Sequence, residues 1–334
     1  MKYSYLTLSI MICTPVFAST IVTNDNFIEA ETNTYFSELM TKVPVNTWRH
    51  ARNISSKDFQ FVIRENQDIL YSHAVVDVSK GATLSVPQSG QYQIIQVIDE
   101  KHYTVAVIYP GESLIITPNM LSKGTHVFLN ARTGIMTPDS AGVKRANLLQ
   151  DQLKIEANSN QPYVDKDFDK ISQDKLRSDL EKHVPEVKAW LGFGNVTNKM
   201  LDSKQRLYVA AAGWGGLPAK DAFYFPLKGT GNQECRSLTF DAPPLNYEKG
   251  GFWSITTYDD KGWIAKDNFA LNNFQAKANN DGSYTLHFNC GAKALNNIDT
   301  IDGNWQPMFR AYLPRSFDEI LKYSQDFTTN VTFK

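Results

Sequence analysis

The 334 residues carry 34 Lys+Arg against 35 Asp+Glu, with 42% hydrophobic and 12% aromatic residues. That composition excludes disorder, collagen and coiled coil and suits a globular protein of about two domains. A formal net charge of −1, with no block of five like charges, removes the electrostatic footprint that nucleic-acid or anionic-lipid binding requires.

The chain opens with MKYSYLTLSIMICTPVFA, which has the parts of a secretory signal: Lys2, an apolar stretch over 5–13, and the short residues Val16 and Ala18 around a cleavage point. Cleavage after Ala18 is expected, leaving a mature chain from Ser19 that is periplasmic or secreted and holds no membrane anchor. The apolar run is shorter than the roughly 20 residues that span a bilayer. Cleavage removes Cys13 and leaves Cys235 and Cys290. An even pair in an exported protein permits a disulfide, which closes a loop of about 55 residues and contributes roughly 4 kcal/mol in the chain-entropy model; two separate buried thiols are the alternative.

Three textures follow. From Ile21 to about Arg145, Phe27, Glu31, Tyr35 and Leu39 recur at four-residue spacing and predict a helix that ends before Pro44. Short β-branched and aromatic runs then predict strands over 74–78, 83–86, 92–98, 104–109, 114–117 and 126–132, a spacing that suits a sandwich or barrel. The last run alternates, with Val127, Leu129 and Ala131 on one face and His126, Phe128, Asn130 and Arg132 on the other. The polar face is read as solvated, with a pocket lining as the functional alternative.

Between about 141 and 204 the texture turns helical. Leu148, Leu149, Leu153 and Ile155 stand at near-helical spacing, a charged stretch runs over 165–188, and Ser172 has the look of a helix cap. These helices are expected to pack across the junction of two β-domains. Strand signals return over 223–227, 237–240, 252–258, 284–289 and 308–313, with Asn280-Asp281-Gly282 as a hairpin turn.

Eight segments resemble known domains in a fixed order. VNTWRHAR (45–52), RENQDILYSHAVVDVSKG (64–81), QYQIIQVIDEKHYTVAVIYPG (91–111) and FLNARTGI (128–135) resemble DUF1254. GWGGLPAKDAFYF (213–225), GFWSITTYDDKGW (251–263), NNDGSYTLHF (279–288) and NWQPMFRAYLPR (304–315) resemble DUF1214, its usual C-terminal partner. The resemblance implies a mainly β protein of two β-sandwich, jelly-roll-like domains with helical additions at the N-terminus and between the domains, often exported and without a settled activity. The boundaries become 1–18 signal peptide, 19–145 first sandwich, 146–206 helical connector and 207–334 second sandwich. Members often read V-R-P-N-x-D-T-L-Y, where this chain has Glu65 for the proline and Ile69 for the threonine.

No motif completes a catalytic or metal site. The six histidines show no H-E-x-x-H, the cysteines no C-x-x-C, and no G-x-S-x-G is present, so neither a metal nor another cofactor is implied. The catalytic candidates are Asp99 and His102, held close in an expected surface turn where a carboxylate orients an imidazole, with help from Asp68 or Tyr71. Asp99 satisfying backbone N–H groups of its own turn is the bland alternative. Ligand-binding candidates are Asn66, Tyr103, His126, Arg132, Trp214 and Arg310. Trp214 lies in a glycine-rich turn; Arg310 shares a strand face with Tyr312 and is expected to pair with a carboxylate such as Asp221. Three readings follow: a module that binds a small molecule or glycan in a cleft between the sandwiches, a hydrolase or lyase using the Asp/His pair, and a homo-oligomeric assembly protein.

Overall fold

The computed structural model describes residues 19–60 and 64–334; the expected signal segment lies outside them. The first half runs α1 (Phe27–Met40), β1 (Arg49–His50), β2 (Ile69–Asp77), β3 (Ala82–Ser85), β4 (Gln93–Asp99), β5 (Thr104–Ile108), β6 (Ser113–Ile116) and β7 (His126–Gly134). Then come α2 (Ser140–Gln150), β8 (Lys154–Ala157), α3 (Lys170–Glu181), α4 (Ala189–Gly192) and α5 (Ser203–Gly213). The second half is β9 (Ala222–Pro226), β10 (Arg236–Phe240), β11 (Phe252–Tyr258), β12 (Ala270–Asn272), β13 (Tyr284–Phe288), β14 (Asn297–Ile298), β15 (Gln306–Tyr312) and α6 (Phe317–Asn330).

Each half is a sandwich. In the first, the sheet β1-β2-β7-β4-β5 packs against β6-β3-β8; in the second, β12-β11-β15-β9 packs against β10-β13-β14. Neighbouring strands are antiparallel apart from the short parallel pair β13–β14. Side-chain alternation decides what goes between the sheets. Ala74 and Val76 on β2, Ile95 and Val97 on β4, and Val127, Leu129 and Ala131 on β7 meet Ala82 and Leu84 on β3 in the first core. Phe225, Trp253, Ile255 and Phe309 meet Leu286 and Phe288 in the second. The helix α6 closes that core with Ile320 and Phe327, and Ser316 caps it by accepting the Glu319 N–H at 3.2 Å.

The larger sheet of each sandwich is covered on its second face too. Over part of that face Ile69, Tyr92 and Ile94 of the first half pack against Ala222, Phe252 and Tyr312 of the second. Phe36 and Leu39 of α1 cover Val75, Ile98 and Phe128. All nine residues of β7 are therefore buried, and its polar face is not solvated as the alternation alone suggests. Gly250 shows how near the halves come. It adopts φ +84°, and a Cβ there would stand 3.0 Å from the backbone nitrogen of Tyr92.

The connector differs from its expectation. Leu153 joins the first core and Ile155 lies in β8, which pairs with β3, because apolar residues two apart fit a strand edge as readily as a ragged helical stripe. Asp169 is the cap of α3 and accepts the Ser172 N–H at 2.8 Å; Ser172 sits inside the helix. α1, α3 and α5 share a cluster built on Phe27, Ala30, Leu180 and Tyr208. No helix among the described residues is long and apolar enough to cross a membrane.

A disulfide joins Cys235 and Cys290, 55 residues apart, and ties the entry of β10 to the exit of β13. Replacing both cysteines by serine should lower the stability of the fold by about 2 to 4 kcal/mol, read as a lower denaturant midpoint, with a slope that is equal or steeper because the uncrosslinked unfolded chain exposes more surface. An unchanged midpoint would show that the crosslink does not constrain the unfolded chain.

Candidate functional site

A polar strip runs through the seam between the two large sheets. On the first sheet one cross-strand row is Tyr71, Arg132 and Ile94. Arg132 is only 5% exposed. It donates through Nη1 to Gln96 Oε1 at 2.8 Å and through Nη2 to the Gly215 carbonyl at 2.7 Å, with its guanidinium carbon 5.7 Å from the Tyr71 ring centre. In the next row His73 stands opposite Asn130, between the rings of Tyr71 and Phe128. Burial, then the fields of Arg132 and Arg49, push His73 down to about 4, so its imidazole is neutral at pH 7.

The facing row on the second sheet is Asn272, Ser254, Arg310 and Tyr224. Arg310 is 4% exposed. It donates through Nη1 to Thr256 Oγ1 at 3.1 Å and through Nη2 to Tyr258 Oη at 2.8 Å and the Arg64 carbonyl at 2.7 Å. The expected pair with Asp221 does not form. Asp221 accepts instead from the Tyr109 hydroxyl, because the alternation that points Arg310 into the seam leaves that carboxyl at the end of β9, beside β5. Tyr71, Tyr224 and Tyr312 lie within the electrostatic reach of both guanidiniums, which places the two cations in one neighbourhood.

The segment from Arg64 to Tyr71 crosses the seam. The Glu65 carbonyl accepts the Tyr258 hydroxyl at 2.5 Å, Asn66 Nδ2 donates to Tyr312 Oη at 3.2 Å, and Asp68 Oδ1 accepts from Asn272 Nδ2 at 3.0 Å. Arg64 takes φ +60° to make this turn. Asp68 is 1% exposed, and burial, first among its influences, raises its carboxyl above the ordinary value. Asp68 Oδ2 and the Tyr92 hydroxyl have no hydrogen-bond partner among the described residues.

Comparison with known proteins agrees with this two-part construction. Protein of unknown function (DUF1254) matches residues 45–157, and Protein of unknown function (DUF1214) matches residues 219–316. The chain is a DUF1254–DUF1214 protein. The VPA0106 protein from Vibrio parahaemolyticus superposes with a TM-score of 0.62 at 17% identity, over 87% of this chain and 96% of that one. An uncharacterised protein from Burkholderia cenocepacia gives 0.50 at 13% identity, over 87% and 85%. At those identities the likeness is one of fold. No curated protein matches the sequence. The junction of DUF1254 and DUF1214 is thus the seam, and the RENQD run that carried part of the resemblance is the segment DUF1254 inserts across it.

The other candidates stand elsewhere. Asp99 and His102 are buried, at 1% and 4% exposure, and not at the surface, because the connector lies over their turn. Asp99 Oδ1 accepts the N–H groups of Lys101 and Tyr103, and Oδ2 accepts the N–H and hydroxyl of Ser122. His102 takes φ +62°, which swings its ring onto Trp214 at 5.0 Å, where Nε2 accepts the Gly215 N–H at 2.9 Å. The two side chains do not orient one another. Tyr103 lies under the Arg206 guanidinium at 3.7 Å, and His126 Nε2 bonds the Gln161 carbonyl at 2.8 Å. Trp214 stacks on Tyr35 at 4.2 Å and donates to Thr32 Oγ1 at 3.1 Å. Its turn is a clamp: Gly215, at φ +80°, gives its N–H to His102 and its carbonyl to Arg132.

No group of three or more metal-ligating side chains stands together among the described residues. A surface hollow of ≈ 370 Å³ lies at the end of α1, lined by Ser37, Glu38, Met40, Thr41, Tyr163 and Asp165. It is broadly open, and Tyr163 and Asp165 are already engaged by Asn33.

Burial, then Arg206, lowers His102 from its ordinary 6.5 to about 3. Its contribution to stability is therefore complete above pH 6.5 and is lost as pH falls towards 3, where the unfolded chain binds the proton and the folded chain does not. The melting-temperature gap between the wild type and His102→Gln should narrow as pH is lowered from 7 to about 4. A gap that stays constant would mean that His102 is not held neutral in the fold.

Proposed function

We propose that this DUF1254–DUF1214 protein binds a small molecule in the seam between its two sandwiches. The observation that carries the reading is the pair of buried guanidiniums, one on each facing sheet, with no carboxylate among the described residues in ion-pair contact with either. Burying an unpaired cation costs several kcal/mol, and a fold that needs only adhesion fills such a seam with apolar side chains at no such cost. Domain junctions are also where ligand sites preferentially form.

Tyr71, Tyr109 and Tyr224 are half-buried where Arg132, Arg310, Tyr92 and Tyr312 are buried, and on this reading a ligand enters from their side. The close packing of Tyr92, Phe252 and Tyr312 along the rest of the seam suits a small molecule better than a polymer. On the expectation that residues 1–18 are a signal segment, binding takes place in the periplasm or outside the cell.

Thermal unfolding against a library of sugars, organic acids and small aromatics tests this, because a ligand of the native state raises the melting temperature. A compound is expected to raise it by several degrees in the wild type and much less in Tyr224→Ala or Tyr71→Ala, each compared with its own ligand-free melting temperature. Shifts that persist in both variants, or no shift with any compound, would sink the reading.

A further inference from the structure

The geometry points to the chemical class of that ligand: a small carboxylic acid with a flat, apolar body, its carboxylate held between Arg132 and Arg310. This inference rests on the seam being a binding site and adds the group that the site recognises.

The charges lead to it. A guanidinium carries five N–H donors in a planar fork that matches the two oxygens of a carboxylate. Among the described residues Arg132 engages only neutral acceptors, Gln96 and the Gly215 carbonyl. Arg310 does the same with Thr256, Tyr258 and the Arg64 carbonyl. These contacts hold both guanidiniums without neutralising either; Arg132 keeps a second N–H on each terminal nitrogen, while Arg310 keeps one on Nη1, both protons of its Nη2 being engaged. Of the chain's own nearby carboxyls, each holds one oxygen on a neutral partner, Asp68 on Asn272 and Asp221 on Tyr109, and neither makes an ion pair with an arginine. Arg310 acts on Asp68, and Arg132 on Asp221, only at longer range. The Tyr92 hydroxyl, 3% exposed and without a partner, is one more donor in the same neighbourhood.

The remaining walls select the body and the size of the charge. Half-buried Tyr71 and Tyr224 offer rings and hydroxyls on which a flat apolar group stacks, with Tyr92 and Tyr312 packed in the same cluster. A phosphate dianion fits less well. It would bring a second negative charge beside Asp68 and Asp221, each of which has an oxygen without a hydrogen-bond partner.

Calorimetric titration of the full protein with benzoate, benzamide and inorganic phosphate tests the inference, since benzoate and benzamide share a shape and differ in charge. Benzoate is expected to bind at least about tenfold more tightly than either. Arg132→Gln and Arg310→Gln should each weaken benzoate at least about tenfold, with circular dichroism reporting whether the variants fold. Arg310→Lys keeps the charge without the fork and should fall between the wild type and Arg310→Gln. The comparison of the three probes on the wild type stands even if an arginine variant fails to fold. Benzamide or phosphate binding as well as benzoate would overturn the carboxylate assignment; if Tyr224→Ala then weakened that binding, the seam would remain the site. Benzoate binding that is indifferent to the arginine changes and to Tyr224→Ala would overturn both readings. No binding of any probe at millimolar concentration would also overturn the assignment.

Discussion

The structure depends on one constraint, that the larger sheet of each sandwich is covered on both faces over most of its area. One face meets the smaller sheet of its own half, and the other meets the opposite half, α1 or the glycine-rich turn after α5. Polar side chains on the second face must then find partners inside the protein. Arg132 finds the backbone of Gly215, and Arg310 finds the backbone of Arg64, so each guanidinium binds a segment that crosses from elsewhere in the chain. The same contacts that satisfy these cations hold the two halves in register.

Much of the fold was legible because antiparallel sandwiches leave a two-residue period in the sequence. The expected strands at 92–98, 126–132 and 252–258 became β4, β7 and β11 with ends shifted by two residues or fewer. What alternation could not say was which polar faces are dry. His126, Asn130 and Arg132 read as a solvated face in isolation, and only the arrival of α1 and the DUF1214 half buries them. β8, β12 and β14 were not anticipated because two to four residues carry too little pattern. α6 was missed although Ser316 and Glu319 form a cap signal there and Phe317, Ile320 and Phe327 mark one face.

The candidate site was half legible. Asn66, Asp68, Tyr71, Arg132 and Arg310 were named from the sequence and the seam brings them together, although they come from both domains and from separate lists of candidates. Tyr92, Tyr224, Tyr312 and His73 were not named as site residues, since a tyrosine in a strand normally reads as core. The one signal available was parity: Arg310 and Tyr312 share a face, and the Gly-Trp-Gly-Gly turn precedes Tyr224. Asp99 and His102 misled because closeness in sequence does not set direction. The left-handed backbone at His102 turns its imidazole away from Asp99 and onto the turn that Arg132 grips.

The most direct test of this account is anomalous diffraction from crystals of the protein soaked in 4-iodobenzoate, whose iodine marks the position of the ring. An iodine peak is expected beside Tyr71 and Tyr224, with the carboxylate within hydrogen-bond distance of Arg132 and Arg310. An iodine peak elsewhere, or a seam unchanged at saturating ligand, would contradict it.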